Sequence, residues 1–376
     1  MDPVTWPTSA SSVLPTDNST SFPDIYTRYS WPELLMLHRP AAILVDRSLT
    51  PIFYAIGITG NSLSAKIWLE RPMRRNNSSA VYLATLSITD LFFLLLHIIL
   101  ELNYAWGIQT LDYPGLCEGY FLVYFVATYL SPILVLAFTI ERYIAVCHPF
   151  QKERFCTTRR AFKVVVVLVT FSVLLSCIQA YLWSYDAATG RCEIRREVVR
   201  GGEYSLWSIW TWVSEILSFF VVPFLILVFN VLVLREVRRL SQAGCTMLPG
   251  QTGSGSAATT AMLLSVSFYV ILTTIPASVV YSLQIQDGDP YLSDEQIRND
   301  PVWQRYFDFL TVRKVVEEIC LSHYACNIVL YMITGTQFRK AFAETFSNFR
   351  CGEKAGDYSE VNNHRPNNSV TYQTKV

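Results

Sequence analysis

The sequence predicts an all-α membrane protein, a bundle of seven helices that cross the bilayer. Hydrophobic residues make up 51% of the 376-residue chain and gather into long runs. Several runs approach or exceed the roughly 20 residues that a helix needs to cross the hydrocarbon core. Basic residues cluster in alternate connections between the runs, which is the pattern that orients spanning helices. The clustering excludes an ordinary soluble domain, and a net charge of zero gives no strong electrostatic attraction to nucleic acid.

The apolar runs divide the chain into four parts. The spanning segments are predicted at 47–70, 80–106, 115–147, 161–184, 206–238, 257–285 and 306–334, which together form a bundle over residues 46–335. Residues 1–45 are rich in Pro, Ser and Thr without periodicity, so we expect a disordered tail there. Residues 336–350 are predicted to form a short amphipathic eighth helix on the membrane surface. The polar residues 351–376 are expected to form a second disordered tail.

The basic connections predict how the chain is oriented in the plasma membrane. They follow the first, third and fifth runs and contain Arg71, Arg74, Arg75, Lys152, Arg154, Arg159, Arg160, Arg235, Arg238 and Arg239. Because such residues concentrate in cytoplasmic loops, the N-terminus is expected outside the cell and the C-terminus in the cytoplasm. The sequon at Asn18 is then expected to be glycosylated, whereas the sequons at Asn76 and Asn77 would lie in the cytosol.

Two of the nine cysteines differ from the others in position. Cys117 starts the third run on the outer side, and Cys192 lies in the long outer loop between runs four and five. A disulfide between them would hold that loop over the bundle and stabilise it by about 2–4 kcal/mol. The alternative is a pair of free thiols.

Short motifs follow one another along the bundle, each weak alone and specific as a set. They are Gly60-Asn61, Leu86, Asp90, Glu141-Arg142-Tyr143, Pro223, Pro276, Asn327 to Tyr331, and Phe338-Arg339. In this order the chain from about residue 50 to 348 resembles the rhodopsin-like (class A) G-protein-coupled receptors. The stretch from Asn327 to Arg339 resembles invertebrate neuropeptide receptors of the FMRFamide and myoinhibitory type. The resemblance implies a receptor that activates heterotrimeric G proteins, with arrestin and a receptor kinase as further partners.

Arg142 is the candidate switch at the cytoplasmic end of the third span. Glu141 can hold this arginine in one state and release it toward a partner in another. The alternative is an interfacial arginine that extends toward water, which is common at helix ends. The resemblance places Tyr143, Asn327 and Tyr331 in the same G-protein switch.

Asp90 is an acid deep in an apolar span, where a charge is costly enough to indicate a function. By resemblance its partners are Ser131, Asn327 and Asn61, which in many relatives hold a sodium ion. A hydrogen-bonded aspartate that serves packing is the alternative. We expect no other cofactor.

Pro223 and Pro276 are expected to kink the fifth and sixth spans and to act as hinges. Three positions depart from the family's pattern. Thr274 replaces a common tryptophan, Ile328 replaces a proline in the seventh span, and Val231 replaces a tyrosine. We therefore expect the same outward movement of helices with a different packing trigger.

Carboxylates in the outer halves of the spans indicate a cationic ligand group, such as a peptide arginine. The predicted ligand-binding residues are Glu101, Tyr104, Tyr124, Thr128, Trp212, Glu215, Thr274, Tyr281, Arg313 and Glu317. The alternative pairs Glu317 or Glu318 with Arg313 or Lys314 one turn away. By resemblance, Tyr124 replaces the aspartate of amine receptors and Leu321 replaces the lysine of opsins, so neither class fits.

A hydrophilic, extended ligand fits best, and a short amidated neuropeptide is our prediction. The outer loop at about 185–204 is long, mixed in charge and able to form a strand pair over the pocket. A receptor of the same fold for a small molecule or a lipid stays an alternative. A seven-span channel or transporter is the alternative from another class, although it would need paired broken helices or a polar stripe. No catalytic motif is found, so an enzyme is not expected.

Features after the last span predict membrane and protein contacts. Phe338, Phe342 and Phe346 recur at fourfold spacing beside basic residues, as in an interfacial helix. Cys351 is a candidate for palmitoylation. Thr374 and Val376 match the C-terminal pattern that PDZ domains bind.

Overall fold

The computed structural model describes residues 22–75, 77–242, 254–283, 285–345 and 347. For residues 203, 241 and 254–259 it describes the backbone alone. Asn18, Cys351, Thr374 and Val376 lie outside the described residues, so glycosylation, palmitoylation and PDZ binding stay predictions.

Seven long helices account for the predicted spans. In chain order they are Pro40–Leu69, Ser78–Tyr104, Leu116–Cys147, Thr158–Leu182, Leu206–Leu240, Ser254–Ser282, and the pair Pro301–Ala325 and Asn327–Thr334. Among the described residues, six of them are long and apolar enough to cross a membrane. The exception is the seventh, because Arg313, Lys314, Glu317 and Glu318 interrupt its apolar sequence. The predicted seven-helix bundle is confirmed.

The remaining elements are short and lie in the connections. The helices are Ile25–Arg28, Trp31–His38, Arg71–Arg74, Pro149–Phe155, Arg196–Val199, the 3-10 turn Gly202–Tyr204, and Asp294–Asn299. Strands β1 (Trp183–Asp186) and β2 (Arg191–Ile194) pair antiparallel, with Tyr185 opposite Cys192. The strand pair predicted in this loop is therefore present.

The disulfide attaches this hairpin to the third helix. Cys117 and Cys192 are bonded, as predicted, and close a separation of 75 residues. Trp183 stacks on Phe121 with ring centroids 3.8 Å apart, and the Cys192 N–H donates to Asp112 at 2.7 Å. We call this end of the bundle the disulfide end and the opposite one the Arg142 end.

The fifth helix widens into a π-helical stretch, Ile216–Val221, just before Pro223. Proline has no N–H, so the carbonyl of Phe219, four residues earlier, loses its helical partner. The Ser278 hydroxyl of the sixth helix donates to that carbonyl at 2.6 Å. The predicted break at Pro223 thus becomes a contact between the fifth and sixth helices.

The seventh helix is interrupted at Cys326 although it lacks the family's proline. The backbone of Cys326 leaves the helical region, with φ −93° and ψ 7°, and a new helix begins at Asn327. Ile328 packs against Gly60, where an added Cβ would lie 2.6 Å from the isoleucine side chain. A glycine on the first helix therefore accommodates the isoleucine that replaces proline.

The expectation of a disordered tail over residues 1–45 is wrong for residues 22–45. Helices Ile25–Arg28 and Trp31–His38 precede the first spanning helix, which begins at Pro40. The N–H of Ser30 donates to Glu33 at 2.9 Å, which closes the first turn of the second short helix. We call residues 24–38 the N-terminal strap.

The strap is held because it has an apolar core of its own with the start of the seventh helix. Trp31, Leu34 and Leu35 pack with Trp303 and Phe307 in one buried cluster. Such burial offsets the entropy of ordering the segment. The composition of residues 1–45 does not reveal the strap, because its packing partners Trp303 and Phe307 lie more than 260 residues away in the sequence.

Polar contacts fix where the strap sits. Arg28 pairs with Asp294 at 2.9 Å, and the Tyr26 hydroxyl donates to Asp287 at 2.6 Å. The strap therefore covers part of the disulfide end.

Residues 336–345 are helical and follow directly after Gly335. Phe338 is buried against Trp68, with ring centroids 5.3 Å apart, and Tyr331 packs on both rings. The position of this helix on the membrane surface stays a prediction.

Candidate functional site

Six charged side chains come together at the disulfide end, where the first, second and seventh helices meet. They are Asp46, Glu101, Arg313, Lys314, Glu317 and Glu318. Ionisable groups inside a membrane bundle are costly and usually mark a functional region. We call this set the charged cluster.

Glu317 is neutralised by bases of its own helix. Arg313 Nε donates to Glu317 Oε1 at 2.9 Å, and Lys314 Nζ lies 3.3 Å from Glu317 Oε2. The Tyr281 hydroxyl donates to the same carboxylate at 3.4 Å. The pairing within one helix that the sequence left open is the arrangement observed.

Lys314 also links the seventh helix to the first. Its Nζ lies 3.0 Å from Asp46 Oδ2, and the Asp46 residue is only 3% exposed. Asp46 was not among the predicted site residues, because in the sequence it lies at the very edge of the first apolar run.

Glu101 and Glu318 are the carboxyls that the bases leave unmatched. Both lie beside Asp46 and are 7% and 4% exposed. Glu318 Oε1 accepts from the Thr50 hydroxyl at 2.5 Å. Glu101 Oε1 and Glu318 Oε2 are buried with no hydrogen-bond partner among the described residues. Four carboxyls thus face two bases, and protons or a cationic group must balance the rest.

Aromatic side chains form a layer between the charged cluster and the bundle centre. The Tyr54 hydroxyl lies 2.7 Å from His97 Nδ1, one turn from Glu101. Phe93 stacks on Tyr324 with centroids 3.8 Å apart, and Tyr124 packs on Phe93 at 5.4 Å. The layer separates the charged cluster from Asp90.

The other predicted ligand residues are placed differently. Tyr281 is buried beneath Arg313, whose Cζ lies 5.1 Å from the ring centroid. Tyr104 packs against the same half of the core. Thr128 and Thr274 are buried and donate to carbonyls of their own helices at 3.0 and 2.7 Å.

The fifth helix does not direct Trp212 inward. This residue is 39% exposed, whereas Trp207 and Trp210 pack against the core. Side chains two residues apart on a helix point about 200° apart, so Trp210 faces the core and Trp212, the predicted ligand residue, does not. Glu215 is half-buried at the start of the π-helical stretch.

Asp90 lies at the centre of the bundle in a small polar network. It is fully buried and accepts from Ser131 Oγ at 2.6 Å and Asn327 Nδ2 at 2.7 Å. Asn61 Nδ2 donates to the Tyr324 carbonyl at 2.7 Å. The side-chain oxygens of Asn61 and Asn327 are buried and have no partner among the described residues. Such oxygens suit a hard cation, so these groups fit a sodium ion.

At the opposite end, Glu141 and Arg142 do not pair with each other. Glu141 Oε1 instead accepts from the Ser78 hydroxyl at 2.5 Å. Arg142 Nε is buried and has no hydrogen-bond partner among the described residues. Tyr143 contacts His148 across 3.4 Å. Arg142 is therefore not held by Glu141 here, and its role as a switch stays a prediction.

A cavity of about 520 Å³ opens beside Arg142. Its walls come from the connection after the first helix, the ends of the second and third helices, helix Pro149–Phe155 and residues 336–345. The charged residues that line it are Glu70, Arg75, Arg142, Lys152, Lys340 and Glu344.

Two polar contacts between helices had not been predicted. Asn230 Nδ2 of the fifth helix donates to Ser267 Oγ of the sixth at 2.9 Å. Tyr269 of the sixth helix and Ser322 of the seventh share a hydrogen bond of 2.8 Å. The sequence feature that could have indicated both contacts is the presence of polar residues within long apolar runs.

The arrangement defines a class of protein: a seven-helix membrane bundle with a disulfide-held hairpin at one end and a free arginine in a cavity at the other. Residues 60–334, more than half of the chain, match the profile of the "7 transmembrane receptor (rhodopsin family)". The chain belongs to this family, which is a family of receptors rather than enzymes.

Three relatives illustrate the similarity. The Pyrokinin-1 receptor of Drosophila melanogaster is 27% identical over 169 residues, 43% of this chain and 38% of the relative. The Neurotensin receptor type 1 of Mus musculus is 29% identical over 127 residues, 33% of this chain and 30% of the relative. The Thyrotropin-releasing hormone receptor of Homo sapiens is 29% identical over 143 residues, 38% of this chain and 35% of the relative. The aligned parts therefore span about a third of the length of these relatives, from 30% to 38%.

Proposed function

We propose that this protein is a receptor for an extracellular peptide, with a short amidated neuropeptide as the ligand class, and that it activates heterotrimeric G proteins. The charged cluster is the observation that carries the peptide assignment. Six ionisable side chains at the disulfide end suit a hydrophilic ligand and disfavour a lipid. Membership of the family and the relatives, which are receptors for peptide hormones, support the same reading.

The ligand side of this proposal differs from the one the sequence suggested. Glu317 already has two basic partners, so Glu101 and Glu318 are the acids that a guanidinium or ammonium group would neutralise. An arginine of the peptide could replace Lys314 as the partner of Asp46. Tyr104 and Tyr281 would line the approach.

The signalling side rests on Arg142. An arginine released from Glu141 can bind a G protein, and ligand at the other end shifts the population toward the state that binds it. Tyr143, Asn327 and Tyr331 would belong to this switch. In this proposal the disulfide end is extracellular, the Arg142 end is cytoplasmic, and the protein resides in the plasma membrane. Arrestin, a receptor kinase and a PDZ-domain protein would act on the cytoplasmic side.

A panel of candidate ligands tests the proposal. Cells that express the chain are challenged with amidated peptides, amines and lipids, while calcium and cyclic nucleotides are recorded. We expect a nanomolar response to at least one peptide and none to the other classes. A response to an amine or lipid with silence toward every peptide would refute the peptide assignment.

Sodium binding at Asp90 is a second proposal, supported by the orphan oxygens of Asn61 and Asn327. Sodium is expected to lower agonist affinity by favouring the state that holds the ion. Asp90→Asn should remove the sodium dependence of agonist binding. Unchanged sodium dependence in this variant would contradict the site.

A further inference from the structure

Three acids of the charged cluster contact one another. Asp46 of the first helix lies within hydrogen-bonding range of Glu101 of the second helix and of Glu318 of the seventh. All three residues are buried. Ionised carboxylates only accept hydrogen bonds, so a contact between two of them is repulsive unless one carries a proton. These contacts therefore require protons or a cation between the acids.

The bases of the cluster do not remove this excess of acid. Lys314 Nζ lies 3.0 Å from Asp46 and 3.3 Å from Glu317, so one ammonium group is divided between two carboxylates. Arg313 pairs with Glu317 as well. Glu101 Oε1 and Glu318 Oε2 are buried without a hydrogen-bond partner among the described residues. Two negative charges are left for protons or a cation to balance.

His97 is the base among the other titratable groups around the cluster. Its Nδ1 shares a hydrogen bond of 2.7 Å with the Tyr54 hydroxyl. A proton on His97 would balance one negative charge, so at least one carboxyl would still need a proton. The remaining titratable side chains that face the cluster are acids in their own right: Tyr54, Tyr104, Tyr120, Tyr281 and Cys320.

Bases from adjoining segments have partners outside the cluster. Arg47, which follows Asp46 in the sequence, donates to the Ala105 carbonyl at 2.7 Å. Arg39 at the end of the strap pairs with Asp308. The side chains of Lys314 and Glu317 are 15% and 17% exposed, so the cluster is not sealed. Protons and ligand can therefore enter and leave it at the disulfide end.

We propose that Glu101 and Glu318 each hold a proton, shared with Asp46, while the site is empty, and that a cationic ligand group binds in exchange for one of these protons. The guanidinium of a peptide arginine brings one positive charge. One carboxyl gives its proton to the outer water and becomes the carboxylate that pairs with the guanidinium. The inference rests on the proposed peptide site and names its regulation: extracellular acid competes with the ligand.

The first measurement needs no ligand. Infrared spectra of the purified chain in lipid nanodiscs detect the carbonyl stretch of a protonated carboxyl, which ionised carboxylates and histidines lack. Glu101→Gln and Glu318→Gln should each remove one carboxyl from this band. The control Glu197→Gln, at an exposed acid of the outer loop, should leave the band unchanged. Any signal from Asp90 is common to the parent and these variants and cancels in the differences.

The second measurement adds acetyl-arginine amide as a cationic probe and acetyl-citrulline amide as its neutral isostere. The arginine compound should lower the band by one carboxyl, whereas the citrulline compound should not change it. The Kd of the arginine compound should fall about tenfold for each unit of rising pH, the slope expected when one proton is released per site.

A band that is equal in the parent and in both glutamine variants would overturn the proposal, whatever the peptide panel shows. A band that falls in those variants but not with the arginine probe, or a Kd independent of pH, would overturn the exchange. Both infrared changes together with silence toward every peptide would support the proton site and refute the peptide assignment alone. Matching unfolding temperatures of parent and variants show that the changes are not due to misfolding.

Discussion

The two ends of the bundle differ in whether their basic side chains are paired with acids. At the disulfide end, Lys314 and Arg313 are partly buried and each is paired with a carboxylate. At the Arg142 end, four bases line an open cavity and have no acidic partner among the described residues. A buried pair is sensitive to the loss of one member, whereas an unpaired base beside a cavity is available to a partner. The first arrangement therefore stabilises the fold, whereas the second leaves positive charge that a partner could neutralise.

The largest expected effect comes from breaking the buried pairs. Lys314→Gln leaves Asp46 and part of Glu317 without their base, which should destabilise the fold by about 3–5 kcal/mol. The unfolding midpoint in detergent measures this loss. Lys314→Gln combined with Asp46→Asn should recover much of the lost stability, because the unpaired carboxylate of Asp46 is removed as well.

Arg305→Gln is the matched control, since Arg305 is an exposed base on the same helix. Its effect should stay within about 0.5 kcal/mol. Equal destabilisation by both single changes would show that Lys314 has no special place in the cluster.

The disulfide should rank second. Replacing Cys117 and Cys192 by serine releases the hairpin and should reduce stability by about 2–4 kcal/mol. Thermal unfolding with and without reductant measures it, and reductant should have no further effect on the variant. Cys177→Ser, at an exposed free cysteine, serves as the control. Parent and double variant with the same midpoint would contradict the role given to the hairpin.

A smaller effect is expected from the contact between Asn230 and Ser267. In a membrane bundle such hydrogen bonds contribute about 0.6 kcal/mol and at most about 1.7. A double-mutant cycle with Asn230→Ala and Ser267→Ala should return a coupling energy of that size. Ser265→Ala, which loses only a bond to its own helix, should not couple to Asn230. A coupling energy of zero between Asn230 and Ser267 would show that their contact does not stabilise the bundle.

The smallest effect concerns the pH dependence of the strap. Burial lowers the pKa of His38 below its ordinary value of 6.5. The positive charges of Arg298, Arg39 and Arg28 lower this pKa further, and the negative charge of Asp294 raises it. Both ring nitrogens are buried without partners among the described residues. The released strap binds more protons than the docked strap, so docking is strongest above pH 6.5 and weakens as pH falls toward the lowered pKa.

Hydrogen exchange of the amides at 31–38, corrected for intrinsic rates, should be faster at pH 5.5 than at pH 7.5. Burial raises the pKa of Asp287, which acts in the opposite direction and limits the effect. His38→Gln should remove the acceleration. An acceleration that persists in this variant would assign the pH dependence to another group.

The features of the bundle differ in how well the sequence predicts them. The spans and the disulfide were predictable from long apolar runs and from two cysteines on the outer side. Asp90 stood out as an acid within an apolar run, but its partners Ser131 and Asn327 came from the family resemblance. The strap was missed, although Ser30 and Glu33 with the apolar Trp31, Leu34 and Leu35 are a readable helix start. Its stability depends on Trp303 and Phe307, and no local pattern shows that contact.

The separation of roles between the two ends is tested most directly by measuring ligand binding and G-protein activation in the same cells. The comparison uses Arg142→Ala and Glu101→Gln, with surface expression matched to the parent and an active peptide from the ligand panel. We expect Arg142→Ala to keep ligand binding while signalling falls at least about 100-fold, and Glu101→Gln to weaken binding. Full signalling by Arg142→Ala, or unchanged binding by Glu101→Gln, would contradict the account.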